Sequence, residues 1–212
     1  MLHDMINGFG HRLRLVLRQP DQPEDSVAVP SGDDAPPEVD FVAYAEDGRL
    51  SGRIRLDTSR LSDMLNEHDE FLLQDILAEK IPDGGTMRVP EFLVRRDELI
   101  LVHATGPRGD RSRRLRTAEH GIHLRVGPYL VEGQMHAAHG VDPLIFFRRR
   151  RAMIPLTDAT IEYSTVEGTI RESAGTIVVN RDHLDWVQRV EPTPHALDVS
   201  GIVVRGMRPT SS

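Results

Sequence analysis

The chain has 212 residues, 39% of them hydrophobic, a net charge of −7 and no cysteine. That length suits two small domains with tails, and the missing cysteines exclude disulfides, thiolate metal sites and a thiol nucleophile. No apolar run reaches the roughly 18 residues of a membrane-spanning helix, and the acidic balance argues against bulk affinity for nucleic acid. Arginine outnumbers lysine 25 to 1, a bias that reads first as a GC-rich bacterial coding sequence. Residues 1–18 lack the continuous apolar core of a secretory signal, so the expected location is cytoplasmic.

The N-terminal segment, 1–18, holds the alternating run His11-Arg12-Leu13-Arg14-Leu15-Val16-Leu17-Arg18, which reads as a strand. Residues 19–40 are rich in proline and acidic side chains, the composition of a flexible, self-repelling linker. A first unit spans 41–104. It has strands at 41–45 and 50–56, joined by the Glu46-Asp47-Gly48 turn. A helical turn or loop follows at 59–66. A third strand, with room for a fourth, lies at 71–79, then the Pro82-Asp83-Gly84-Gly85 turn. Strands at 87–94 and 99–103 flank a turn at 95–98. A polar linker, 105–119, carries five arginines. The second unit, 120–190, has strands at 121–126, 129–136, 153–156, 160–164, 176–179 and 184–189. In the C-terminal tail, 191–212, Ile202-Val203-Val204 offers a last short strand.

The two units echo one another. Val94-Arg95-Arg96-Asp97-Glu98-Leu99-Ile100-Leu101-Val102 returns as Val179-Asn180-Arg181-Asp182-His183-Leu184-Asp185-Trp186-Val187. Gly52 answers Gly133, Asp63 and Leu65 answer Asp142 and Leu144, and Leu73-Gln74-Asp75 answers Leu156-Thr157-Asp158. Collinear landmarks of this kind point to one small domain used twice. Short strands joined by tight turns suggest an all-β fold of two tandem five-stranded barrels with flexible linkers. Units of 60–80 residues are about marginal alone, so they are expected to pack on each other or on a partner.

Asp47-Gly48-Arg49-Leu50-Ser51-Gly52-Arg53-Ile54, with Phe71-Leu72-Leu73-Gln74-Asp75, resembles the first motif of the Sm and Sm-like family of SH3-like small barrels. Val94-Arg95-Arg96-Asp97-Glu98-Leu99 resembles its second motif, and Val179-Asn180-Arg181-Asp182-His183-Leu184 keeps the outline. The resemblance implies RNA held by the loop of the first motif and the turn of the second. Asp63 and Asn66 have the implied residue types, with Met64 and Leu65 between them and no aromatic to stack a base. The second unit keeps Asp142 but has Ile145 in place of the asparagine. Arg95 matches the family arginine and its counterpart is Asn180, while Arg96 and Arg181 take the usual glycine position.

The candidate contact residues are charged. Arg148, Arg149, Arg150 and Arg151 follow Phe146-Phe147, a grouping that suits nucleic acid, a phosphorylated partner, or simply an extended loop of solvated charge. Arg95, Arg96 and Arg181 join them. Glu67, Asp69 and Glu70 occupy the corresponding loop of the first unit, so one unit is acidic where the other is basic. Head-to-tail contact between units, within or between chains, is a physical reading of that swap. Two His-x-x-His spacings, His120/His123 and His136/His139, do not converge on a strand, and no metal or other cofactor is expected. No nucleophile elbow or phosphate-binding glycine loop is present, and Asp75 and Asp158 read as turn-capping residues. The expectation is a non-enzymatic binding or assembly module with a protein partner or itself as ligand; the alternative is RNA binding through the arginine-rich loops.

Overall fold

In the computed structural model, residues 36–81, 84–107 and 117–190 are described. The expected strand at 11–18, the arginines of the second linker and the tail strand at 202–204 lie outside them. The described residues are all-β. Ten strands follow in order: β1 (Glu38–Tyr44), β2 (Gly48–Arg55), β3 (Glu70–Lys80), β4 (Thr86–Arg95), β5 (Leu101–His103), β6 (Ala118–Val126), β7 (Tyr129–Ala137), β8 (Met153–Thr165), β9 (Gly168–Asn180) and β10 (Leu184–Val190). Helix α1 (Leu61–Glu67) connects β2 to β3, and α2 (Pro143–Arg149) connects β7 to β8. Single 3-10 turns, Arg96–Glu98 and Arg181–His183, lead into β5 and β10.

The strands form one antiparallel sheet in the order β10-β6-β7-β8-β9-β5-β1-β2-β3-β4. Each half repeats the same order: fifth strand, first, second, third, fourth. Among the described residues no ladder joins β4 to β5 or β9 to β10, so the pairing does not close two separate barrels. Instead β9 of the second half takes the edge of β5, which satisfies main-chain groups that closure would otherwise have to satisfy.

The third strand of each half is longer than its sequence pattern suggests, and the reason is local. Buried residues along β3 fall at Phe71 and Leu73, then at Ile76 and Ala78; along β8 they fall at Ile154 and Leu156, then at Ala159, Ile161 and Tyr163. A side-chain period of two cannot produce that shift without an extra residue. Asp75 and Asp158 are those residues, with φ of 51° and 47°. Asp tolerates the left-handed region better than most side chains do. They lie inside strands and open bulges, which corrects the reading of them as turn caps. Gly52 and Gly133 lie across from these bulges, where the β2–β3 and β7–β8 registers shift. A Cβ at Gly52 would collide with the Ile76 side chain and sit 2.6 Å from the Gln74 carbonyl oxygen; at Gly133 it would sit 3.1 Å from Leu156 Cβ. Glycine there lets the bulged strand approach closely.

Two apolar clusters fill the fold, and they exchange residues across the halves. Met153 and Val178, from the second half, belong to the first cluster. Tyr44, Ile100 and Leu101, from the first half, belong to the second. The helices complete them: Leu61, Met64 and Leu65 of α1 are buried, as are Pro143 and Phe147 of α2. Counting from the helix starts, Leu65 corresponds to Phe147 and Asn66 to Arg148. Asp142 caps α2, accepting from the Leu144 and Ile145 amides, whereas Asp63 lies within α1, so the sequence match of Asp63 to Asp142 is out of structural register.

Candidate assembly interface

The halves join along a short ladder: Leu101 opposite Val179, Val102 opposite Val178 and His103 opposite Ile177. Main-chain bonds extend it at both ends, from the Asn180 amide to the Ile100 carbonyl at 2.9 Å and from the Ala104 amide to the Thr176 carbonyl at 3.0 Å. Asn180 is the single buried polar residue among the described residues. Its side-chain amide donates to the Leu99 and Arg96 carbonyls at 2.8 and 3.1 Å. An asparagine can satisfy two carbonyls there without burying charge. Asn66 does the same from the other side. Its amide donates to the Met153 carbonyl at 2.8 Å and its oxygen accepts from the Met153 amide at 3.1 Å. The residue whose type suggested an RNA contact is thus committed to holding α1 against β8.

A group of titratable rings lies across the same junction. The Tyr44 hydroxyl donates to Glu172 Oε2 at 2.9 Å and the Tyr163 hydroxyl to Oε1 at 2.5 Å. Tyr129 donates to the Ala45 carbonyl at 2.6 Å. Tyr44 packs edge-on to Tyr129 with centroids 5.4 Å apart and stacks on His103 at 5.6 Å, with the Arg49 guanidinium over its face. Burial, then the Glu172 charge, pushes Tyr44 above the ordinary tyrosine range, and burial does the same to Tyr129. Burial and the bond to Glu172 raise Tyr163 to about 12. For Glu172, burial is the largest influence and favours the neutral acid. The hydrogen bonds from Tyr163 and Tyr44 and the charge of Arg49 together outweigh it and hold the carboxyl below its usual value. Burial lowers His103. The tyrosines stay protonated and donate, the carboxylate stays charged and accepts, and the cluster acts as a part-buried polar clasp.

Among the described residues two strands keep an unpaired edge, β4 and β10, and the charged residues singled out in the sequence gather near them. Arg148 and Arg149 lie in the last turn of α2, with Arg150 as its C-cap. The arginine run thus begins in a helix, against the expected extended loop, because the Pro143 N1 and Asp142 cap start one and Phe147 anchors it. Arg150 covers the Phe146 ring at 4.3 Å. Arg181 donates to the Arg148 carbonyl at 2.9 Å and to the Arg150 carbonyl. Arg148, Arg149 and Arg151 are exposed and have no ion pair among the described residues. Ile145, Arg148 and Arg149 line a cleft of about 400 Å³. A second cleft, of about 560 Å³, is lined by His68, Asp69, Glu70 and Arg95 at the start of β3.

Glu67, Asp69 and Glu70 make no ion pair with Arg148, Arg149, Arg150 or Arg151 among the described residues. Asp69 bonds Arg96 at 2.7 Å, and Arg95 bonds Asp97 at 3.1 Å. Glu67 and Glu70 are exposed. Trp186 lies on β10 at 39% exposure, edge-on to His123, away from the contact between halves. Sequence reading missed Tyr44, His103, Tyr163, Glu172 and Asn180. One signal was present: Asn180 breaks the repeat where the first half has Arg95. Among the described residues no group of three metal-ligating side chains converges, and no helix is long and apolar enough to cross a membrane. No protein-family model, curated protein or solved structure matches this chain.

Proposed function

We propose that the protein is a non-enzymatic, cytoplasmic assembly module, built from two divergent copies of one Sm-like, SH3-like small-barrel unit and binding other proteins or itself by sheet-edge pairing. The observation that carries this reading is the β9–β5 junction. One unit already extends the sheet of the other by main-chain bonds, an exchange of core residues and the Asn66 and Asn180 side-chain bonds. Edge pairing of this kind supplies affinity through backbone groups and specificity through flanking side chains. The same strand order in both halves, the paired bulges at Asp75 and Asp158 and the matched glycines at 52 and 133 support the duplication.

The second reading is RNA binding, and one observation favours it: three arginines at the end of α2 are exposed and have no acidic partner among the described residues. Against it, Arg95 and Arg96 face carboxylates, Arg181 is tied to main-chain carbonyls, and Asn66 is committed to the junction. Light scattering over a concentration series, with the 260/280 nm absorbance ratio before and after a high-salt wash, tests both. Self-assembly predicts a mass that grows with concentration and no nucleic acid. A single-chain mass throughout, with nucleic acid that salt removes, would favour the RNA reading.

A further inference from the structure

We infer that the occupant of the open β10 edge is the β4 edge of a second copy of this chain, docked in the register that β9 uses on β5. The inference rests on the assembly reading and names its partner. β5 and β10 are the fifth strands of the two halves, and β9 and β4 are the fourth. Among the described residues each chain therefore offers one edge of each kind, the condition for a heterologous, head-to-tail contact. Matching Val102 to Val187 and Val179 to Val94 carries the internal register outward. Trp186, Val187 and Gln188 then face Val94, Leu93 and Phe92 of the second copy. Pro90 lacks an amide and lies outside that stretch, so the three-pair ladder is unobstructed.

Charge completes the match. At the internal junction Asn66 at the end of α1 meets Met153 at the start of β8. The corresponding residues are Arg148, at the end of α2, and Glu70, at the start of β3. The outward copy of that contact sets an exposed arginine of one chain against an exposed glutamate of the next, with Arg149 and Asp69 beside them. The cleft lined by Ile145, Arg148 and Arg149 and the one lined by His68, Asp69, Glu70 and Arg95 become two faces of one contact, with Glu70 as the acidic group that meets Arg148. Such pairing favours the opposite-edge contact, the one that brings these opposite charges together.

The chain has no cysteine, which makes cross-linking selective. Chains carrying Val187→Cys are mixed with chains carrying Leu93→Cys and treated with a short thiol-reactive cross-linker, while light scattering reports mass. The expected result is a cross-linked dimer in the mixture and in neither sample alone. Arg148→Glu on the Val187→Cys chain should cut the yield about tenfold, and Glu70→Arg on the other chain should restore part of it. In the wild type, the emission of Trp186, the sole tryptophan, should shift to the blue as concentration rises. Cross-linking within either single-cysteine sample, or association without cross-linking in the mixture, overturns this inference and leaves assembly standing. A single-chain mass at every concentration overturns both.

Discussion

β5 and β10 occupy the same place in the two halves of the sheet and have opposite characters. β5 is covered on both edges, by β1 and β9, and Leu101 and Val102 are fully buried. Among the described residues β10 is covered on one edge only, by β6. Trp186 stands where β5 has Leu101, Arg125 where β1 has Tyr44, and Arg148 where α1 has Asn66. Arg125 reaches Asp185 at 3.8 Å, whereas Tyr44 donates into the Glu172 clasp. An edge that is permanently paired can be apolar with its few polar atoms satisfied. An edge that meets water needs charge and a side chain, such as tryptophan, that suits both states.

That contrast is most easily broken at its most apolar point. Leu101→Ala removes a fully buried side chain from the junction and should cost about 2–5 kcal/mol. Trp186→Ala at the equivalent position should cost less than about 1 kcal/mol in dilute solution, because the ring is part-exposed and packs edge-on to His123. Chemical denaturation of the two variants measures both values, and equal losses would show that the two edges are not in different states. The glycines sharpen the comparison between the halves. Gly52→Val must displace Ile76 or the Gln74 carbonyl, whereas Gly133→Val meets contacts that are only tight. Both should destabilise by about 1–3 kcal/mol, with Gly52→Val the worse of the two. Thermal melts that rank them the other way would contradict the packing at the first bulge.

The smallest effect expected is in pH dependence, and it belongs to the inner junction alone. Glu172 and His103 both have folded-state values held below their ordinary 4.5 and 6.5. Each binds its proton less well folded than unfolded, so stability rises with pH through its window and is lost as pH falls. The loss should begin as pH drops below about 6.5, from His103, and steepen below about 4.5, from Glu172. Denaturation midpoints across this range should decline less in Glu172→Gln and His103→Gln than in the wild type. The same two variants should fold stably at neutral pH, since each keeps a polar group at its position.

Much of the strand layout was readable from residue order. The hairpin strands β1, β2, β6 and β7 announce themselves through alternation and turn residues. The 3-10 turns fall at the repeated Arg-Asp pairs. What misled was the third strand of each half, where Asp75 and Asp158 shift the buried face by one residue. Alternation then looks broken, and a single strand reads as two in the second half. The helical start of the arginine run was also hidden, because its signals, Asp142 and Pro143, suit turns and helix starts alike.

By itself the sequence determined the all-β class, the recurrence of short motifs in the two halves and the charge difference between the loops that precede their third strands. These are local: residue order, period and composition carry them. Only the tertiary structure decided that the halves share one open sheet, that Asn66 and Asn180 are spent at the junction, and which edges the described residues leave free. Those outcomes depend on pairing between residues about eighty positions apart, where many registers satisfy the same local pattern. Shared burial of Tyr44, Leu101, Val178 and Met153 selects among them.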